Sequence, residues 1–289
     1  IVAAQKGAVA IVIRSIGTDH DRMAHTGMMR YEEGTPKIPA AAMSNPDADL
    51  INAMLKRDPN ITLSLNMTSE NLGIATSYNV IAEVTGSSKP DEIVLIGAHL
   101  DSWDEGTGAI DDGAGVAIVT TAAKLIQDLP QKPARTIRVV LYAAEEVGLV
   151  GGKAYAAQHA DELDKHYIAA ESDFGAGPVY KIDFNVNAAT FEQVKQEHSA
   201  MTLNGVELGN NEASGGPDVS ILPALGVPVA SLNQDGTDYF DYHHTPNDTL
   251  DKIDPKKLAQ SAAAYAQFAY MMAQSEIDLR PVTQQKEQH

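Results

Sequence analysis

The sequence predicts an α/β protein built on an open sheet, preceded by a smaller β-rich piece. Two observations carry this. From residue 79 onward, apolar runs of strand length alternate with longer helical stretches. Acids or histidines directly follow several of those runs, at the strand ends where an open α/β sheet forms its ligand crevice.

Residues 1–68 read as the smaller domain and 69–289 as the larger one. Gly7 to Ile13 is strand-like, and a polar loop with Asp19, His20, Asp21 and His25 follows; two histidines in such a loop read as solvated. Ile38 to Met43 is a short apolar run. Ser44 and Asp47 stand at capping-box spacing before a helix to about Lys56, and Ile61, Leu63, Leu65 and Met67 alternate with polar residues as in a half-buried strand. In the larger part, Asn79 to Val84 and Glu92 to Gly97 are strands joined by the turn Gly86-Ser87-Ser88-Lys89-Pro90. Val116 to Leu129 is apolar nearly all round and reads as a buried helix. Thr136 to Ala143 is a strand, Gly151 to Ala160 a helix, Tyr167 to Ala170 an apolar run, Asp183 to Val186 a strand and Thr190 to Ala200 a helix. Ser214-Gly215-Gly216-Pro217-Asp218 opens a helix through Leu225, and Val227 to Leu232 is a buried strand. Pro255 starts a closing helix to about Gln274. The polar tail Gln284 to His289 is expected to fray.

At 289 residues, 44% hydrophobic and 21% charged, the chain can bury a sizeable core. Its net charge of −18 argues against nucleic acid or an anionic membrane as partner. The absence of cysteine excludes disulfides and thiolate metal sites, leaving histidines and carboxylates as the strong ligands. No apolar run reaches the ~18 residues of a membrane span. The chain opens at Ile1 inside strand-like sequence, so it reads as a fragment lacking its start and any export signal, and a secreted or periplasmic location is expected.

The organising stretch is AHLDSWDEGTGAIDDGAG, residues 98–115, between a buried strand and a small-residue helix. One histidine and four aspartates stand among its glycines, which let the backbone approach an ion closely. Glu145-Glu146, Glu171-Ser172-Asp173 and Tyr242-His243-His244-Thr245-Pro246-Asn247-Asp248-Thr249 add acids and imidazoles further along. Two zinc ions ~3.5–4 Å apart share a hydroxide, lower its pKa and polarise a carbonyl. Such a site needs a bridging carboxylate, terminal ligands on each metal, and a free carboxylate as base. Asp111 is the bridge candidate, His99 and Asp173 complete one metal, Glu146 and His244 the other, and Glu145 is the base. Three ligand carboxylates and a hydroxide balance two dications, which avoids an isolated buried charge. Asp101, two residues after His99, is placed to take the other ring N–H.

HLDSWD, IDDGAG, AAEEVGL, ESD and HHTPNDT, in this order, resemble the co-catalytic dizinc aminopeptidase family of zinc exopeptidases, most closely its plasma glutamate carboxypeptidase (carboxypeptidase Q) branch of secreted dipeptidases. The likeness covers roughly Tyr78 to Asp278. It implies a three-layer zinc-exopeptidase fold with a mixed, mostly parallel central sheet. It also implies that the N-terminal residues are part of a small protease-associated-type domain, and that homodimers occur in the branch. Residue by residue, it implies two zinc ions held by His99, Asp111, Glu146, Asp173 and His244, with Glu145 as general base and Asp101 behind His99. A cis peptide between Asp111 and Asp112 is implied too. Several members carry a tyrosine before the last ligand histidine to stabilise the oxyanion; here that position is His243, which takes the role as a hypothesis. The expected reaction is hydrolysis of a peptide or dipeptide next to its free N-terminus.

Some alternatives stay open. Glu171 competes with Asp173, and His243 with His244. Asp104, Glu105 and Asp112 are expected to support the site through loop and backbone hydrogen bonds. His159, His166 and His198 read as surface residues. Trp103, Phe174, Tyr239 and Phe240 either line a substrate pocket or are packing, and Asp218 either faces substrate or sits in a helical first turn. A dizinc carboxypeptidase or deacylase shares the ligand order but usually inserts a lid domain before the last histidine, whereas only 70 residues, 174 to 243, lie there. A non-catalytic receptor on the same fold would have lost ligands that this chain keeps.

Overall fold

A computed structural model of the chain describes residues 1–198 and 205–280. The short helix α1 (Val2–Gln5) leads to strand β1 (Ile11–Arg14), which pairs in parallel with β2 (Ala40–Met43), and α2 (Asn45–Leu55) follows. Then come β3 (Val80–Val84), β4 (Lys89–His99), a π-type turn over Ala109–Gly113, α3 (Ala114–Asp128), β5 (Arg135–Tyr142) and α4 (Val150–Gln158). After β6 (His166–Glu171) and β7 (Val179–Asn185) the chain forms α5 (Ala188–His198), β8 (Glu207–Leu208), β9 (Val229–Gln234), α6 (Tyr239–Tyr242) and α7 (Pro255–Gln274). Among the described residues seven strands make one sheet in the order β3-β5-β4-β6-β9-β7-β8. The β3/β5 and β7/β9 pairs are antiparallel and the other four parallel, so the sheet is mixed and mostly parallel, as expected.

Alternation along β4 builds the three layers. Val94, Ile96 and Ala98 point into the core shared with α3 and α7, whereas Ile93 and Leu95 join Tyr155 and Ala156 of α4 on the other face. The two faces together bury β4 from Ile93 to His99, which carries the imidazole at its end into the protein interior. Phe268 and Tyr265 anchor α7; both are fully buried, each side chain contributing roughly 1.5–3 kcal/mol. Asp254 caps that helix by accepting the Lys256 N–H at 2.8 Å, ahead of Pro255 at its first position.

Several local expectations are corrected. The first strand begins at Ile11 rather than Gly7. Residues 61–67 form no strand: Leu63 and Met67 are exposed, and no strand among the described residues pairs with them, so their alternation has no sheet to bury it. The helix expected over 214–225 is two 3₁₀ turns, Asp218–Ile221 and Pro223–Leu225, because Pro223 lacks the N–H that a continuous helix needs. Helix α3 is not buried all round: Ile118, Val119, Ala122 and Ile126 face the core while Leu125 is 48% exposed. His166 is no surface residue but fully buried, accepting a hydrogen bond from the Tyr155 hydroxyl at 2.7 Å. His159 is half-buried against Tyr155 and Glu162. The His198 side chain, the last residues of the expected Thr190–Ala200 helix and the tail Gln284 to His289 lie outside the described residues. Among the described residues no helix is long and apolar enough to cross a membrane.

Candidate metal centre

His99 is delivered by the last residue of β4 and is 1% exposed. Its Nε2 lies 3.1 Å from Asp111 Oδ1 and 3.3 Å from Asp173 Oδ1. Asp111 sits at the turn before α3, and the peptide between it and Asp112 is cis. Its second oxygen, Oδ2, is 3.3 Å from His244 Nε2 and 3.5 Å from His243 Nε2. Glu146 Oε2 closes the far side at 2.9 Å from His244 Nε2. The structure therefore brings His99, Asp111, Glu146, Asp173 and His244 around one point, with Asp111 between the two halves. Glu145 joins through its proximity to His99 and Glu146.

The competing residues separate by geometry. Glu171 turns away from the cluster: its Oε2 accepts the Val219 N–H at 3.2 Å and its side chain packs on Gly216. Asp173 is the acid that faces His99. His243 stacks on His244 with ring centroids 3.5 Å apart, so both imidazoles approach Asp111, but His244 alone of the two also reaches Glu146. Asp218 lies beneath α4, where its Oδ1 accepts the Gly152 N–H at 2.9 Å; its buried carboxyl is raised to about 6, chiefly by desolvation.

The role expected for Asp101 is corrected. The backbone carbonyl of Asp101, not its carboxylate, accepts the His99 Nδ1–H at 2.9 Å, while the carboxylate stands 3.8 Å from that nitrogen. That carboxylate instead accepts the backbone N–H of Glu145 at 2.9 Å and of Glu146 at 3.2 Å, which fixes the turn carrying both acids. Asp112 braces the opposite wall: Oδ2 accepts the His99 N–H and Oδ1 the Gly115 N–H, both at 3.0 Å. A Cβ at Gly115 would lie 2.1 Å from the Ser172 carbonyl, so only glycine lets α3 start this close to the end of β6. Asp104 contributes its carbonyl, which accepts from the Thr26 hydroxyl at 3.3 Å, and Glu105 is exposed.

Phe174 stacks on Tyr239 at 4.6 Å and meets Phe240 edge-on, and Tyr239 also packs beside His243. Tyr239 lines the open cleft above the cluster together with Arg30, Glu145, Leu149 and Pro217. The Trp103 ring is 6.0 Å from that of His244. His20 is exposed, but His25 is not free in solvent: its ring nitrogen Nε2 is 2.8 Å from the Phe240 carbonyl.

Three supporting residues escape a reading of the sequence alone. Asp248 is 4% exposed and accepts the N–H groups of Ile110 and Asp111 at 2.5 and 3.1 Å, pinning the loop of the central aspartate. Thr26 exchanges two hydrogen bonds with His244: its N–H donates to the His244 carbonyl at 2.8 Å, and its carbonyl accepts the Nδ1–H at 2.9 Å. That places a proton on Nδ1 and turns Nε2 toward Asp111 and Glu146. Arg30 reaches the cleft from the same N-terminal segment. Asp248 lies inside a quoted motif, whereas no spacing rule relates residues 26 and 30 to residue 244.

The electrostatics favour a cation. Glu146 Oε1 is buried without a hydrogen-bond partner among the described residues, and its side chain lines one cleft with those of Asp111 and Asp173. Neighbouring imidazoles hold Asp111 well below the usual carboxylate range against the opposing cost of burial, and the two carboxylates beside His244 push that ring up to about 10. Burial, then the Asp173 charge, raises Glu145 to about 7. His243 moves the other way, down to about 4, through burial and the neighbouring His244. Imidazole and carboxylate donors lie within 4.8 Å of one another in the sets His99, Asp111, Asp173 and Asp111, His243, His244. Such borderline-hard N and O donors suit a transition-metal dication, so the residues fit one.

Fold and site together define an α/β protein with a carboxylate–imidazole centre at its strand ends. The chain belongs to peptidase family M28, whose profile matches residues 79–269. It is 36% identical to carboxypeptidase Q of Mus musculus over 274 residues, 94% of this chain and 58% of that protein. Against the Homo sapiens protein of the same name the identity is 37%, over 96% of this chain and 58% of the relative. The chain thus spans under two thirds of the length of these relatives. A crystal structure of a peptidase M28 precursor from Shewanella amazonensis SB2B superposes with a TM-score of 0.95 at 73% identity, covering 98% of this chain and 64% of that one.

Proposed function

We propose that the protein is a zinc-dependent exopeptidase, an aminopeptidase or dipeptidase that cleaves the peptide bond next to a free N-terminus. The observation that carries the proposal is the gathering of two carboxylates, Asp173 and Glu146, and two imidazoles, His99 and His244, about Asp111, with a buried Glu146 oxygen left without a partner among the described residues. His99, Asp111 and Asp173 would hold one zinc ion, and Asp111, Glu146 and His244 a second. Zinc bound there supplies Lewis acidity, lowering the pKa of a water and polarising the scissile carbonyl. Aminopeptidases stand among the similar structures, including one from Aneurinibacillus sp. strain AM-1, 25% identical with a TM-score of 0.61 over 97% of this chain and 68% of that one.

The chain's own residues divide the remaining work. Glu145, raised to about 7, takes the water proton and returns it to the leaving amine; nearby dications would draw its carboxyl back toward the ionised form. Asp101 holds Glu145 and Glu146 by their backbone N–H groups, so neither acid swings with the loop. His243, stacked on His244, offers an N–H to the carbonyl oxygen as charge develops there. Residues 1–68 would belong to a protease-associated-type domain, and the protein would act as a homodimer outside the cytoplasm; both readings rest on the resemblance.

The test is mass-spectrometric hydrolysis of a dipeptide panel with zinc, beside the same peptides N-acetylated. Cleavage confined to the free-amine set is expected. Cleavage of the acetylated set would replace this reading with a carboxypeptidase or deacylase, and cleavage of neither would remove the exopeptidase reading.

A further inference from the structure

Arg30 has a place that the hydrolytic machinery does not explain. It belongs to the N-terminal segment, yet it lines the cleft above the cluster together with Glu145, Glu146, Gly148 and Leu149. Its guanidinium is 3.4 Å from where a Cβ on Gly148 would stand, three residues past Glu145. Gly148 has φ +122° and its N–H donates to the Glu145 carbonyl at 2.8 Å, so a tight glycine turn after the base leaves room for the arginine. Arg30 makes no hydrogen bond or ion pair with a described residue, although four carboxylates line the same cleft. The segment is held on both sides of it. Thr26 is tied to His244 by two hydrogen bonds, and the Tyr31 hydroxyl donates to the Ile38 carbonyl at 3.0 Å.

We infer that Arg30 is a specificity residue that binds the free α-carboxylate of the substrate residue on the leaving side of the scissile bond. The inference rests on the exopeptidase reading above. The charges favour it: with the ligand carboxylates of Asp111, Glu146 and Asp173 engaged by dications, the guanidinium remains as the side-chain cation of the cleft without a partner among the described residues. Its planar fork suits two parallel hydrogen bonds to a carboxylate. A carboxylate held there stands next to the base, so the substrate ends one residue beyond the cleaved bond. The N-terminal segment thereby selects dipeptides over longer chains and over peptides with blocked C-termini.

The experiment compares leucyl-alanine with leucyl-alaninamide on the zinc-loaded chain and on its Arg30→Met and Arg30→Lys variants. The same three proteins are titrated by calorimetry with the reduced-bond isostere of each compound, which binds without being cleaved. Wild type is expected to favour the acid by about 10- to 100-fold in kcat/KM and in affinity. In Arg30→Met the ratio falls to about one, and in Arg30→Lys it is intermediate, because an ammonium keeps the charge and loses the fork. A ratio that survives in Arg30→Met, including a uniform loss on both substrates, overturns the inference. If wild type cleaves neither compound, the exopeptidase reading fails and the isosteres still decide. Carboxylate-dependent binding lost in Arg30→Met supports Arg30, and equal or undetectable binding refutes it.

Discussion

Asp248 is the strongest test of how the central aspartate is held. Its two oxygens accept the backbone N–H groups of Ile110 and Asp111, and it is 4% exposed. Asp248→Ala leaves two buried N–H groups without acceptors, at roughly 1–3 kcal/mol each, so the gross cost is about 4 kcal/mol. Part is recovered, because burial and the charge of Asp111 both push the Asp248 carboxyl up and removing it relieves that penalty. A net loss of about 3 kcal/mol is expected. Asp248→Asn keeps one acceptor and turns an NH₂ toward the other N–H, for about 2 kcal/mol. Urea unfolding followed by far-UV circular dichroism measures both, with Asp251→Ala as the exposed control. A loss below about 1 kcal/mol for Asp248→Ala would mean that the two N–H groups find other partners, and the argument that Asp248 positions Asp111 would fail.

Glu145→Gln and His243→Ala separate the proposed proton carrier from the proposed oxyanion donor. The first should lower kcat by about 10²- to 10⁴-fold with zinc content by plasma mass spectrometry unchanged, and the second by about 10²-fold with KM little altered. Unchanged turnover in either variant removes that residue from the reaction. His166 gives a pH prediction away from the centre. Tyr155 donates to its Nε2 while Nδ1 faces the Glu162 carbonyl at 3.0 Å, so the buried ring is neutral; desolvation lowers it to about 4 from 6.5. Between those values the unfolded chain binds the extra proton, so its contribution to stability is present above pH 6.5 and is lost as pH falls toward 4, by about 3 kcal/mol. His166→Phe lacks this titration, so its stability gap to wild type should narrow by that amount over the same range in urea titrations. A gap independent of pH would show that His166 is protonated in the fold.

The parts of the fold visible in the sequence are those whose burial is local and repetitive. β4 and β5 are buried on both faces, and their apolar runs say so directly. Helix α7 carries its start signal in Asp254 and Pro255. Where a pattern needed a distant partner it misled: Ile61 to Met67 alternates like a strand with no strand beside it among the described residues, and His166 reads as polar surface because Tyr155 and Glu162 are what make its burial tolerable. The site followed the same division. His99, Asp111, Glu146 and Asp173 each follow a strand or open a helix, so topology alone brings them together. The choice of Asp101's carbonyl over its carboxylate for His99 is a matter of side-chain rotation, which spacing does not contain.

The N-terminal segment carries the argument furthest from sequence. Thr18 and Asp19 donate their N–H groups to Asp241 at 2.6 and 3.1 Å, His25 meets the Phe240 carbonyl, the Asn247 amide donates to Asp21 at 3.0 Å, and Thr26 brackets His244. These contacts join residues more than 200 positions apart along one edge of the cleft. Their common target is the loop from Phe240 to Asn247, which holds both histidines. With His244 Nε2 turned to Asp111 and Glu146, its Nδ1–H takes an acceptor from outside the loop, the Thr26 carbonyl. Residues 18–26 and 240–247 are therefore one hydrogen-bonded unit at this edge. The same two bonds that orient the His244 ring fix the chain four residues before Arg30, so His244 and Arg30 share a single anchor.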